Sequence, residues 1–194
     1  MTERLQDEGM NAFSTRQDAA IVYKSKYGAC LRYANWLADA LDAPIVSLRR
    51  ADPEQLRHFK CVILVSSIRG DRIRGRRFFS RNWEYLDGKA LFCLAVGVQE
   101  AREGLEEELL EENFRLGPSG LRLFYARGVW DPQAFSKKDR AYLRMLQKYA
   151  KRHGLSERDR WLERFLGDKT RHDWCRKAAL KPLLQALKQE PPEV

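Results

Sequence analysis

The sequence predicts one doubly wound α/β domain, a five-stranded parallel sheet covered by helices on both faces. Three observations predict it. Short apolar runs recur at 19–23, 44–48, 61–65, 90–96 and 121–126. Segments with three- and four-residue apolar spacing fall between them. The runs are nearly continuous rather than alternating, as expected for strands buried on both faces of a parallel sheet. A chain of 194 residues with 44% apolar content is of the size that builds one such core.

The elements follow in order. Residues 19–23, Ala-Ala-Ile-Val-Tyr, read as the first buried strand. Leu31, Ala34, Leu37, Ala38 and Leu41 then recur at helical intervals. Residues 44–48 form a second strand, and Asp52-Pro53 opens a helix, with Asp as the cap and Pro at the first helical position. Residues 61–65, Cys-Val-Ile-Leu-Val, are the clearest strand, and the Arg-rich stretch after them runs into a helix ending at Leu86. Asp87-Gly88 is a turn into the strand at 90–96. An acidic helix spans 100–114, and the fifth strand is 121–126. Right-handed crossovers leave few arrangements for this alternation, and the flavodoxin-like order 2-1-3-4-5 fits five strands best. The domain is expected to span 19–189, with 1–18 a disordered leader, 190–194 a frayed tail, and 135–166 a helical insertion. A closing helix is expected over 170–188, kinked or divided at Pro182.

Composition narrows the function. No apolar run is long enough to cross a membrane, and the polar N-terminus lacks a signal-peptide core, which places the protein in the cytoplasm. Cys30, Cys61, Cys93 and Cys175 are widely spaced with no CxxC pair and read as free thiols, mostly buried. His58, His153 and His172 have no metal-ligand spacing, and His172-Asp173 reads as a helix cap. The net charge is +9, unevenly placed: residues 100–112 carry seven acids, whereas 122–181 carry seventeen basic residues against seven acidic ones. A basic surface suits an anionic small molecule, an acidic redox partner or a peripheral membrane contact. Nucleic acid ranks lower, because no nucleic-acid motif accompanies the charge.

Ligands of open α/β sheets bind beyond the carboxyl ends of the strands, where three loops here converge. The first, Lys24 to Cys30, contains Ser25, Lys26, Tyr27, Gly28 and Ala29. Its backbone N–H groups and the helix dipole behind it favour an anion such as phosphate. The equally simple alternative is a tight strand-to-helix turn. The chain has neither GxxxxGK[ST] nor GxGxxG, so P-loop and dinucleotide readings are poor. The second loop holds Ser66, Ser67, Ile68 and Arg69, and the third Gly97, Val98 and Gln99. Arg69, Arg72, Arg74, Arg76, Arg77 and Arg81 crowd into thirteen residues with Phe78, Phe79 and Trp83 nearby. They form either an exposed basic helix face or a carboxylate-binding rim in which Arg72, Arg74 and Arg76 contact substrate.

Residues 21–30, Ile-Val-Tyr-Lys-Ser-Lys-Tyr-Gly-Ala-Cys, followed by Tyr33-Ala34-Asn35-Trp36-Leu37-Ala38, resemble the opening of flavodoxin-domain proteins. The resemblance is closest to the group of flavodoxin-like protoporphyrinogen oxidases, extends through 59–64 and 88–92, and resumes weakly at 125–128 and the helical region after it. It implies FMN, with the phosphate in the first loop, ring contacts from the second, and the flavin's polar edge at the third. Ser25, Tyr27, Gly28 and Cys30 fall on the usual Thr/Ser-x-Thr-Gly-x-Thr pattern, with Tyr27 and Cys30 replacing two hydroxyl residues. Ser66 and Ser67 stand where glycines are common, and Arg69 stands near the aromatic place. The resemblance implies an FMN-dependent oxidoreductase acting on a porphyrinogen or a quinone-linked substrate. The alternative is a domain whose degenerate FMN site has become a binding or regulatory module.

Overall fold

A computed structural model describes residues 18–189. The five long strands are β1 (Ala19–Lys24), β2 (Ile45–Ser47), β3 (Cys61–Arg69), β5 (Ala90–Gly97) and β6 (Arg122–Arg127); a two-residue strand, β4 (Arg72–Ile73), follows β3. The sheet order is β2-β1-β3-β5-β6 with every pair parallel, which is the predicted 2-1-3-4-5 arrangement. β4 lies outside this path, folding back antiparallel on the end of β3 with Ile68 opposite Ile73.

Alternation along the strands gives each face its own core. Ile21, Ile63, Phe92 and Leu94 point to one face. There they meet Tyr33 and Leu37 of α1 (Ala29–Leu41), and Leu183 and Leu187 of α6 (Lys181–Gln189), the last α-helix among the described residues. Val22, Leu64 and Cys93 point to the other face. They pack on Phe79 of α2 (Arg77–Arg81), Leu86 of α3 (Trp83–Leu86) and Leu109 of α4 (Leu105–Phe114). The central positions are fully buried, and each large side chain removed from water contributes about 1.5–3 kcal/mol. Tyr33 is buried because its hydroxyl is satisfied: it donates to the Arg127 carbonyl at 2.7 Å and accepts from the Arg176 N–H at 3.2 Å.

Several elements differ from expectation. The stretch after Asp52-Pro53 forms only a single turn of 3-10 helix, Gln55–His58, because β3 begins three residues later. The helix expected up to Leu86 is broken at Asn82, whose side-chain amide takes the Phe78 carbonyl at 2.7 Å. The acidic helix starts at Leu105 rather than at Glu100, since Gly104 turns the chain at φ +76°. The closing helix is much shorter than 170–188. His172–Asp173 form a strand instead of a cap, and Pro182 sits in the first turn of α6, where a missing N–H costs nothing. All four cysteines are free; three are buried and Cys175 is half-buried. The leader and tail expected at 1–18 and 190–194 lie outside the described residues, apart from Asp18, whose carbonyl accepts from Lys60 and Cys61.

Candidate functional site

After β6 the chain forms β7 (Val129–Trp130), leaves the sheet, and returns as β8 (His172–Asp173), which pairs antiparallel with β7. Between them lies α5 (Lys137–His153) and a 3-10 segment, Glu157–Arg164. Ser136 caps α5, its hydroxyl accepting from the Asp139 N–H at 3.3 Å, and Gly154 ends it. No residue of α5 is fully buried. Its apolar stripe, Tyr142, Leu143, Leu146 and Tyr149, instead roofs a cleft above the carboxyl ends of β1, β3, β5 and β6. Aromatic contacts seat the roof at its base: Trp130 lies 5.0 Å from Phe135 and 5.1 Å from Phe165, ring to ring.

The cleft has a volume of about 390 Å³, and all three predicted loops reach it. From the first loop, Ser25, Lys26, Tyr27, Ala29 and Cys30 line it. Gly28 does not line it but turns the loop into α1 at φ +90°, with its N–H donated to Ser25 Oγ at 3.2 Å. The expected second loop is instead the end of β3, which runs on to Arg69 because Ile68 and Arg69 pair with β4; it supplies Ser67, Ile68 and Arg69, while Ser66 is wholly buried and its hydroxyl donates to the Arg74 carbonyl. Gly97, Val98 and Gln99 form the third wall. The carbonyls of this wall are committed to the protein: Gln99 accepts from the Tyr125 hydroxyl at 2.7 Å, and Val98 from Arg127 Nη2 at 3.3 Å. Of the three arginines assigned to a substrate rim, Arg74 lines the cleft. Arg72 is exposed on β4, and Arg76 leads into α2; neither is among the lining residues.

One side chain knits these parts together. The Asp139 carboxylate accepts from Lys26 Nζ, from the Tyr27 hydroxyl and, at 3.1 Å, from Ser136 Oγ, and it pairs with Arg69 Nη2 at 3.2 Å. Burial alone would raise this carboxyl, but the hydrogen bonds from Lys26, Tyr27 and Ser136 outweigh it and hold the pKa down to about 2. Lys26 is correspondingly raised by its bond to Asp139. Arg69 also stacks over the Tyr142 ring at 4.8 Å, so the end of β3 and the roof meet twice. Sequence reasoning missed Asp139 and the wall formed by Gly128, Trp130 and Phe135. Only the Ser136-x-x-Asp139 spacing at a helix start could have drawn attention to that acid, and it signals a cap rather than a contact with the first loop.

The fold and this cleft define a class: a doubly wound α/β protein of the flavodoxin-like kind, with a cleft beyond the carboxyl ends of the central strands, where ligands of such sheets bind. Residues 20–156 match the family described as the flavodoxin domain, and the chain belongs to that family. Similar solved structures include the two-electron reduced flavodoxin of Megasphaera elsdenii. It is 16% identical, with 56% of this chain and 84% of that one covered and a TM-score of 0.42. A putative flavoprotein from Bacteroides eggerthii is also 16% identical, covering 66% of this chain and 96% of its own, with a TM-score of 0.42. The Trp repressor binding protein of Bacillus subtilis is again 16% identical, covering 57% and 85%, with a TM-score of 0.43. No curated protein matches the chain.

The flavodoxin domain implies FMN as the cofactor, and the residues present fit it. The first loop keeps the elements that need no particular side chain: a left-handed Gly28 whose Cβ position is open to 4 Å, and the start of a thirteen-residue helix. The leading N–H groups of a helix have no intrahelical partner and favour a phosphate. Trp130 Nε1 is buried in the cleft wall with no hydrogen-bond partner among the described residues. Two hydroxyls of the usual pattern are replaced by a phenol and a thiol. Tyr27 faces Asp139, and the Cys30 thiol is buried, which pushes its pKa up to about 12. Among the described residues no helix is long and apolar enough to cross a membrane, and no group of three or more His, Cys, Asp or Glu could hold a metal ion.

Proposed function

We propose that this protein is an FMN-dependent oxidoreductase acting on a porphyrinogen, which carries propionate carboxylates, or on a quinone-linked substrate. The observation that carries the reading is the roof. The mouth of the sheet is covered by Tyr142, Leu143 and Leu146 of α5 and by Trp161 and Leu162, with Lys26, Arg69 and Arg74 at the polar edges. A covered, apolar-lined cleft with a few basic groups suits an enzyme that encloses its substrate. Bound FMN would supply the redox chemistry. The chain's own residues bind and orient: the backbone at 25–30 would hold the phosphate, Ser67 to Arg69 and the N–H groups at 97–99 would hold the ring, and the roof would exclude water. The outer face of α5, with Lys137, Lys138, Arg144, Lys148 and Arg152, would receive an acidic redox partner.

A second reading is favoured by one observation. The Tyr27 hydroxyl is taken by Asp139 and Ser136, and Cys30 offers no hydroxyl, as in a site that has drifted from flavin to a binding or regulatory role. Titration of the apo-protein with FMN and with riboflavin, read by flavin fluorescence, separates the two. The enzyme reading expects saturable FMN binding at least tenfold tighter than riboflavin, lost in Gly28→Val because φ +90° does not accept a β-branched residue. No binding of either flavin would leave the second reading standing.

A further inference from the structure

Resting on the substrate class just proposed, the geometry points to Lys26, Tyr27 and Arg69 as the subsite for a substrate carboxylate, occupied by the Asp139 carboxylate until the substrate displaces it. The three groups come from the first loop and the end of β3 and converge on a single pair of oxygens: Asp139 Oδ2 takes Lys26 and Tyr27, and Oδ1 takes Arg69 at 3.2 Å. An ammonium, a phenol and a guanidinium around one oxyanion is the donor set that carboxylate recognition uses. The oxyanion now in place belongs to the protein, yet it comes from the roof, on a helix with no buried residue. The donors belong to the first loop and to β3.

Size supplies an independent reason for exchange. At about 390 Å³ the cleft is at the small end of ligand sites, with room for one ring system rather than two. A substrate meeting a flavin there needs the roof to lift, and the roof's charged tether to these two segments is the Asp139 cluster. A carboxylate arriving on Lys26 and Arg69 would replace that tether with an equivalent one. The cost of separating Asp139 from its partners is then offset by the new pairing, and only a ligand bearing an oxyanion opens the cleft cheaply. Asp71, Glu108 and Asp159 also line the cleft, but the ion pairs of both cations run to Asp139. Lys26 has Asp139 as its acidic partner among the described residues, and Arg69 likewise.

The test uses the FMN-loaded protein and two probes of the same shape: mesoporphyrin IX, a tetrapyrrole dicarboxylate, and its dimethyl ester, with binding read by quenching of tryptophan fluorescence. In the wild-type protein the acid should bind at least tenfold tighter than the ester. Asp139→Asn frees the donors, so the acid should bind at least fivefold tighter still while the ester changes by less than twofold. Lys26→Met and Arg69→Met should each weaken the acid about tenfold and spare the ester. Equal changes for acid and ester in Asp139→Asn would show a loosened roof and overturn the inference, as would no change in either. An effect of Asp139→Asn on FMN but not riboflavin affinity would also overturn it, because Asp139 would then oppose the cofactor phosphate. Failure of the wild type to bind either probe while holding FMN would reject the substrate class itself, and the inference with it.

Discussion

The sheet and its roof are built on opposite principles. Ile21, Ile63, Leu64, Phe92 and Leu94 are completely buried, and the strands they lie on are paired along their length. The roof helix α5 buries no residue completely, and Met145 and Tyr149 are each 56% exposed. The helix is tied to the first loop and the end of β3 below by the Asp139 cluster and by Arg69 stacked over Tyr142, and the segment that carries it is anchored by the Arg164–Glu100 pair at 2.8 Å and the Trp130–Phe135–Phe165 contacts. Apolar burial is strong, non-directional and hard to reverse locally, whereas exposed ion pairs are weak and exchangeable. Global stability therefore resides in the sheet, and the capacity to open resides in the roof.

The sharpest way to break this division is to strike the sheet. Phe79 is fully buried and its ring lies 6.0 Å from that of Phe114. Phe79→Ala should cost about 3–5 kcal/mol and lower Tm by roughly 10 °C. A shift of only a degree or two in a thermal melt would mean that the core does not carry the stability assigned to it. At the seam between the regions, Gly97 has no room for a side chain: a Cβ there would sit 2.8 Å from the Tyr125 hydroxyl. Gly97→Val should destabilise by about 1–3 kcal/mol and also weaken ligand binding, because the cleft wall must move. The mildest substitution is in the roof. Asp139→Asn should change global stability by less than about 1 kcal/mol, yet speed hydrogen exchange of the α5 amides several-fold while leaving β3 and β5 untouched. The pH dependence has a definite sign. The Asp139 pKa is held below its ordinary value of 3.8, so its stabilising contribution is complete above that value and is lost as pH falls through about 2. Exchange in α5 should therefore be insensitive to the state of this carboxyl between pH 8 and 5. A step near pH 6 would implicate another group.

The same division explains what could be read from the chain. The strands at 61–65 and 90–96 were legible because burial on both faces requires unbroken apolar residues, and five such runs alternating with helical patterns admit few topologies. The first loop was legible because its chemistry is local: Gly28, the helix start and Ser25 lie within five residues. The Asp139 cluster was not, since it joins residues separated by more than a hundred positions and its acid occupies an ordinary capping spacing. The closing segment misled for a different reason. Trp174, Ala178 and Leu183 have nearly helical spacing, but His172 and Asp173 found a partner strand in Val129 and Trp130, and tertiary pairing overrode local preference. The Arg-rich stretch divided likewise: Phe78 and Phe79 pack inward, while Arg72 and Arg77 face solvent.

That short β7–β8 pair has a consequence for how the molecule could be rebuilt. Trp130 stands opposite His172, so the chain enters and leaves the whole α5 segment on neighbouring strands, which run about 5 Å apart. The segment is thus a detour with a closed neck, and the entropy of bringing its ends together is already met by the fold beneath. A tight turn joining those two rungs would complete the same sheet without it, which makes the cover a detachable part that can be lengthened, exchanged or cut away while the sheet and its loops remain.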